Sequence, residues 1–264
     1  MNKTEKRKTL LFEHLLQNGR ISSEDAAQML QVSASTVRRL FMEIEGEGKA
    51  IRVRGALQST GIPSDIYRIT DTENKFPGQN RQIGLYAASH FVEDGDIIYL
   101  DSGTTVMQLS LALKQRIQRS LLKDIQVVTN SIPNMEILNS VANVILIGGR
   151  FREERRDFAG YASEQFIRCF NYHKVFLGAD GFDPGIGFLG KDTDTARINE
   201  VIMARSRAIY ILMDSSKFFT SSLVSYARLS SVSAVITDSF LPAESEQICL
   251  AHGLKVCKAE NAEL

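Results

Sequence analysis

From Asp96 onward the chain repeats one pattern. Apolar runs rich in β-branched and aromatic residues stand at Asp96–Leu100, Gln126–Thr129, Asn143–Ile147, Lys174–Leu177, Ile209–Met213 and Ala234–Thr237. The segments between them are too long for tight hairpins, and several carry helical periodicity, as at Val106–Lys114 and Ile132–Leu138. Neighbouring parallel strands need such long crossovers, whereas antiparallel ones need only a turn. The spacing therefore predicts a doubly wound α/β domain: a mostly parallel sheet with helices on both faces, preceded by a helix over Arg81–Phe91.

In such sheets ligands bind outside the carboxyl ends of the strands, and the polar residues cluster there. The stretch "YLDSGTTVMQLSLAL" (99–113) empties an apolar run through Asp, Ser, Gly and two Thr into a helical pattern. Gly103 permits close backbone approach, Thr104 and Thr105 offer hydroxyls, and a helix start offers unpaired N–H groups and a positive dipole end. "TNS" (129–131), "GGR" (148–150), "GADGFD" (178–183) and "DSSKF" (214–218) end other runs in the same way. The candidate binding residues are Asp101, Ser102, Gly103, Thr104, Thr105, Asn130, Ser131, Gly149, Asp180 and Lys217. Hydroxyls and amides suit a phosphate, Asp101, Asp180 and Asn130 suit sugar hydroxyls, and Lys217 supplies a compensating charge.

Two further motifs read as background. "GIGFLG" (185–190) matches GxGxxG, but Asp183-Pro184 precedes it and a polar "KDTDT" follows, so it reads as a mobile flap and not a dinucleotide loop. "RFREERR" (150–156) reads as a solvated or interfacial charge patch.

The first 57 residues read differently. Leu10, Leu11, Leu15 and Leu16 give a helical stripe ended by Asn18-Gly19. A short helix capped by Ser22 or Ser23 follows, then a break at "QVSAS" and a second helix capped by Ser33. Val37, Leu40, Phe41 and Ile44 form its buried face, leaving Ser35, Thr36, Arg38, Arg39 and Glu43 outward. "KAIRVRGAL" then alternates, with Ile51 and Val53 inward and Arg52 and Arg54 outward, like a wing. Helix, turn, helix and wing suit entry into the major groove of DNA. The candidate DNA-binding residues are Ser33, Ser35, Thr36, Arg38, Arg39, Arg52 and Arg54.

Charge supports that division. The chain carries 31 basic and 31 acidic residues; positions 1–57 hold ten basic and seven acidic ones, leaving 21 and 24 to the remainder. A mildly basic head sits on a mildly acidic body, as nucleic-acid binding by the head permits. Cys169, Cys249 and Cys257 form no CxxC pair, and the four histidines lack zinc-site spacing, so neither metal nor cofactor is expected. No apolar run approaches the roughly 20 residues of a membrane span, and the N-terminus does not read as a signal peptide. The expectation is a cytoplasmic protein without membrane contact.

"SASTVRRL…GEGKAIRVRGA" resembles the signature of DeoR-type bacterial transcriptional regulators through Ser33, Ser35, Thr36, Val37, Arg38, Arg39, Gly48, Arg52, Gly55 and Ala56. Leu40 stands where the family has an acid, and Val53-Arg54 near where it has His-Gly. The D-x-G-T-T, T-N-S, G-G, G-A-D-G and D-x-S-K-F motifs resemble, in order, those of the family's C-terminal sensor. That sensor is similar in fold to ribose-5-phosphate isomerase and the CoA-transferase group. The resemblance implies a winged helix-turn-helix at 1–58, a linker at 59–79 and an effector-sensing α/β domain at 80–264. It further implies a homo-oligomer (dimer or tetramer) that represses a carbohydrate-metabolism operon, binds double-stranded operator DNA and is released by a phosphorylated sugar. Asp101–Thr105 would hold phosphate, Asp180 would face the sugar and Lys217 would neutralise charge. The alternative is a sugar-phosphate isomerase or CoA-transferase-like enzyme with an accessory N-terminal module. An isomerase's Glu base would fall within "KDTDTARINE" (191–200), where Asp192 and Asp194 stand nearby.

Overall fold

The computed structural model describes residues 3–18, 20–46, 50–53, 55–59 and 76–260. The chain divides into two compact units, Met1–Thr72 and Glu73–Leu264. Arg54, Gly48 and most of the 59–79 segment, with the extended stretch expected near Asp65–Ile69, lie outside the described residues.

In the first unit, α1 (Lys3–Asn18) leads through β1 (Arg20–Ser22) to α2 (Ser23–Leu30), α3 (Ala34–Gly46), β2 (Ala50–Val53) and β3 (Ala56–Ser59). Ser22 caps α2: its hydroxyl accepts the Asp25 N–H at 3.0 Å. The α2–α3 turn is tight because Gln31 adopts the left-handed conformation (φ 51°) and returns its N–H to the end of α2. Ser33 Oγ accepts the Thr36 N–H at 3.4 Å, and α3 starts there. Val37, Leu40, Phe41 and Ile44 pack with Leu11, Leu15, Ile21, Ala26, Leu30, Ala50 and Leu57 in one core. Leu40 is fully buried, so apolar packing holds the place of the family's acid. The three strands pair antiparallel in the order β1-β3-β2. The wing's expected alternation holds only in part: Arg52 is exposed and Val53 half-buried, but Ile51 is 42% exposed and Ala50 is buried in its place. A four-residue strand with one Ala as its only core contact follows the neighbouring packing, not the larger side chain.

The second unit opens with α4 (Pro77–Phe91), β4 (Ile97–Leu100), α5 (Thr104–Gln118), β5 (Gln126–Thr129), α6 (Ile132–Leu138) and β6 (Asn143–Leu146). A hairpin of β7 (Arg150–Arg152) and β8 (Asp157–Ala159) leads to α7 (Tyr161–Ile167) and β9 (Tyr172–Gly178). Then come β10 (Gly181–Asp183), β11 (Gly187–Gly190), α8 (Thr193–Met203), β12 (Ser206–Leu212), β13 (Val224–Ala227), β14 (Ala234–Asp238), α9 (Ala243–Ala251) and β15 (Val256–Ala259). Seven strands form one parallel sheet in the order β15-β14-β12-β9-β4-β5-β6. Both faces are covered. Tyr99, Val175, Leu177, Ile209 and Ile211 share a core with Ile198, Val201 and Ile202 of α8, while Phe176 and Tyr210 stack together and meet Phe91 of α4. Alternate side chains of one strand thus feed opposite layers.

Glycines set two close approaches. Gly84 of α4 lies against the backbone of α5, where an added Cβ would come 2.5 Å from the carbonyl carbon of Gln108. Gly187, at φ +112°, would put a Cβ 2.0 Å from the Ala227 carbonyl oxygen. The GIGFLG segment is thus no mobile flap. Gly187–Gly190 is the middle strand of a second antiparallel sheet, order β10-β11-β13, and Gly187 lets it close on β13.

Candidate functional site

The outer face of α3 is set by its inner one. With Val37, Leu40, Phe41 and Ile44 inward, Ser35, Arg38, Arg39 and Met42 stand exposed on the opposite side. The Ser33 hydroxyl lies 2.9 Å from that of Ser35 and 3.0 Å from that of Thr36, grouping three hydroxyls at the helix start. Arg38 and Arg39 occupy the first half of the helix, the end where the dipole disfavours cations. Glu43 lies 3.9 Å from Arg39 and 3.9 Å from Lys8. Arg52 is differently placed: its backbone N–H and its Nε both bond the Glu45 carboxylate, at 2.9 and 2.5 Å. That contact ties β2 to the end of α3 and holds Glu45 below the usual carboxylate range.

In the second unit the strand order reverses between β4 and β9: β5 and β6 lie to one side, β12, β14 and β15 to the other. This is the crevice where open α/β sheets bind ligands. Gly103 and Gly178 face one another across it; a Cβ on Gly103 would sit 3.7 Å from the Gly178 Cα. The Asp101 carboxylate, 2% exposed, accepts the Ser102 N–H at 2.7 Å and the Gly178 N–H at 3.0 Å, pinning the two strand ends together. Burial pushes its pKa up, against the pull of Arg155 and these amides. The Tyr226 hydroxyl donates to the Gly178 carbonyl at 2.6 Å.

The ten expected site residues separate on these contacts. Gly103 is the N-cap of α5, so the first amides of that helix open into the crevice beside Ser102 and Thr104. Thr105 turns inward, 8% exposed, its hydroxyl donating to Asn80 at 3.0 Å. Asn130 accepts from the Tyr99 hydroxyl at 2.8 Å and donates to the Phe158 carbonyl at 2.9 Å, so its amide is engaged. Ser131 caps α6 through the Asn134 N–H. At Gly149 an added Cβ would stand 2.0 Å from Ser163 Oγ, a packing constraint. Asp180 pairs with Lys191 at 3.1 Å. Lys217, half-buried after β12, has no ion pair among the described residues.

The arginine-rich run is only partly solvated: Arg150, Phe151, Glu153 and Glu154 are exposed, while Arg152, Arg155 and Arg156 are half-buried in ion pairs. Residues 150–159 form the β7–β8 hairpin, whose strand β8 lies along the loop after β5. The hairpin carries Arg152 and Arg155 into the crevice. Arg152 grips the fully buried Asp157 with two hydrogen bonds of 2.7 and 2.6 Å, and reaches Asp192 at 2.8 Å. Asp157 Oδ2 accepts the Ser102 hydroxyl at 2.6 Å, joining the hairpin to the β4–α5 loop. Asp192 caps α8 through the Thr195 N–H. That hydrogen bond and both arginines hold its carboxyl below the usual range despite burial. Arg155, Arg152, Asp157 and Asp192 were missed as site residues. The alternation of Arg with Glu and Asp over 150–157 was the available signal, but partners 40 to 55 positions away decide it.

The model of the DeoR C terminal sensor domain matches residues 77–239, and that of the DeoR-like helix-turn-helix domain matches residues 7–61. The chain belongs to the DeoR family of transcriptional regulators. The lactose phosphotransferase system repressor of Streptococcus mutans is 32% identical over 83% of this DeoR-type chain and 86% of its own. The HTH-type transcriptional regulator IolR of Bacillus subtilis is 27% identical over 92% and 95%, respectively. The glycerol-3-phosphate regulon repressor of Escherichia coli K12 is 27% identical over 93% and 95%. Among solved structures, ribose 5-phosphate isomerase from Plasmodium falciparum aligns with a TM-score of 0.41 and 16% identity, over 55% of this chain and 54% of that one. The family is one of DNA-binding regulators with a small-molecule sensor. No helix among the described residues of this regulator is long and apolar enough to cross a membrane.

Proposed function

We propose that this DeoR-type regulator represses a carbohydrate-related operon, and that a phosphorylated sugar entering the β4–β9 crevice releases it from DNA. The observation that carries the reading is the opening of the α5 N-terminus at the point where strand order reverses, between Gly103 and Gly178. Helix-end amides, the Thr104 hydroxyl and Lys217 suit a phosphate there, while the Ser102 hydroxyl is engaged by Asp157. The names of the relatives, which include lactose and glycerol-3-phosphate repressors, support the same class of signal.

On the DNA side, Ser33, Ser35, Thr36, Arg38 and Arg39 of α3 meet the major groove, and Arg54 meets the backbone from the wing. Arg52 contributes chiefly by bracing the wing against Glu45. The DNA reader covers 1–58 and the sensor 80–264, with 59–79 as linker. Two readers are required to match a two-fold operator, so the regulator works as a dimer or tetramer. Effector binding favours a sensor arrangement that spaces the readers wrongly; a coupling of about 1–3 kcal/mol changes occupancy roughly 5- to 150-fold. The enzymatic alternative needs a carboxylate base, and the two nearby candidates are engaged: Asp192 as a helix cap, Asp194 in an ion pair with Arg150.

The test is fluorescence anisotropy of the full chain on DNA from its own upstream region, across a salt series, with a panel of phosphorylated sugars. Sequence-preferring binding released by one sugar phosphate is the expected result. Binding without sequence preference and without any effector response would overturn the reading.

A further inference from the structure

Two arginines of the β7–β8 hairpin share the same carboxylates, yet they hold them differently. Every contact of Arg152 is short: 2.6 and 2.7 Å to Asp157, 2.8 Å to Asp192 and 3.0 Å to Thr195 Oγ1. Those of Arg155 are long: 3.3 Å to Asp157, 3.3 Å to Ser102 Oγ and 3.8 Å to Asp192. Charge-assisted bonds of a guanidinium normally settle near 2.7–2.9 Å, so Arg152 is tightly held and Arg155 is not. The Arg155 side chain is 25% exposed against 14% for Arg152, and its contact with Ser102 places it beside the β4–α5 loop while still shielded from bulk water.

Its position gives that open coordination a use. The Arg155 guanidinium bonds Ser102, the residue before the Gly103 cap of α5. An anion seated on the first amides of α5 lies beside it. Asp157 and Asp192 remain paired with Arg152 when Arg155 turns away, and the buried Asp101, which also feels Arg155, keeps its bonds from the Ser102 and Gly178 amides.

We propose that Arg155 is the residue that grips the anionic group of the effector, a phosphate monoester, exchanging its long contacts for a two-pronged bond to phosphate oxygens. Arg152 stays on Asp157 and positions the hairpin. This inference rests on the reading that a phosphorylated small molecule enters at α5, and it adds the chief cation of the site, with Lys217 secondary.

Isothermal titration calorimetry on the full chain, with inorganic phosphate, glycerol 3-phosphate and hexose 6-phosphates as probes, tests it. Arg155→Ala is expected to weaken binding of the responding probe by roughly 10- to 100-fold, as loss of charged hydrogen bonds requires. Lys217→Ala is expected to weaken it less, and operator affinity without effector is expected to stay near wild type in both. Arg155→Lys keeps a charge beside Asp157 but lacks the planar fork, so it should recover only part of the loss; it also serves as the readout if Arg155→Ala does not fold. Binding by either Arg155 variant within twofold of wild type overturns the assignment of Arg155 alone. Failure of every phosphate compound to bind the wild-type protein overturns the site reading and this inference together.

Discussion

Removing the carboxylate of Asp157 is the most demanding test of how the sensor crevice is held together. Asp157 is fully buried, and it accepts two bonds from Arg152, one from Arg155 and one from the Ser102 hydroxyl. Asp157→Ala leaves the Arg152 guanidinium, 14% exposed, with only Asp192 and Thr195 to satisfy it. Breaking one partner out of a buried pair costs about 3–5 kcal/mol, because an unmatched charge stays behind. In a unit the size of this sensor each kcal/mol lowers the melting temperature by about 2–4 °C, so the expected drop is roughly 6–20 °C. Scanning calorimetry of the full chain is the assay, read on the transition of the sensor. The partner experiment removes both charges: Arg152→Met with Asp157→Leu should be less destabilised than Asp157→Ala alone, since the more buried arginine no longer stays behind unmatched, while Arg155 keeps Asp192, which is itself exposed enough to rehydrate. An Asp157→Ala transition within about 2 °C of wild type would show that water reaches the pair and that the hairpin is not held as described.

The remaining predictions concern packing, titration and DNA. Gly84→Ala should lower the melting temperature despite the better helix propensity of Ala, because its Cβ meets the α5 backbone at 2.5–2.8 Å and costs about 1–3 kcal/mol in overpacking; a rise in stability would refute that close crossing. Asp101 has a pKa raised above its ordinary 3.8, so the folded state binds its proton more tightly than the unfolded one. Its contribution to stability therefore falls as pH rises from 3.8 through that raised value, and denaturant titrations of Asp101→Asn across the acid range should lack this descent. Arg38→Ala should weaken operator binding and reduce the slope of log affinity against log salt by about 0.9 if it meets one phosphate; an unchanged slope would place Arg38 on a base edge or off the DNA.

Six of the seven parallel strands were legible because apolar residues run continuously through them, whereas β15, a half-buried edge strand reading VCKA, was not. β5 and α6 fall where the pattern placed them, and β14 is buried at every position. The helix-turn-helix was legible for a related reason: one apolar stripe on α3 leaves only one face for Ser35, Arg38 and Arg39. The hairpin was not legible. Phe151, Arg152 and Arg155 do not look like sheet or site residues until Ser102, Asp157 and Asp192 arrive from other elements. Local pattern also misjudged hydroxyls and carboxylates. Thr105 and Asn130 carry the right chemistry for a ligand, yet Asn80, Tyr99 and Phe158 engage it within the fold. In the wing, Ile51 reads as an inward residue, but Ala50 takes the core position.

The Asp101 pin has a consequence for how such a sensor diversifies. One side chain joins the seam of the sheet by gripping main-chain amides, those of Ser102 and Gly178. Main-chain amides are present whatever residue the loop carries, proline aside, and even a Cβ on Gly178 would stand 3.4 Å from the carboxylate, at ordinary contact distance. The loops that line the crevice can therefore change their side chains while the seam keeps its shape. A lineage, or a laboratory seeking a biosensor for a new metabolite, can redraw the surface around the crevice position by position and leave that joint of the sheet untouched.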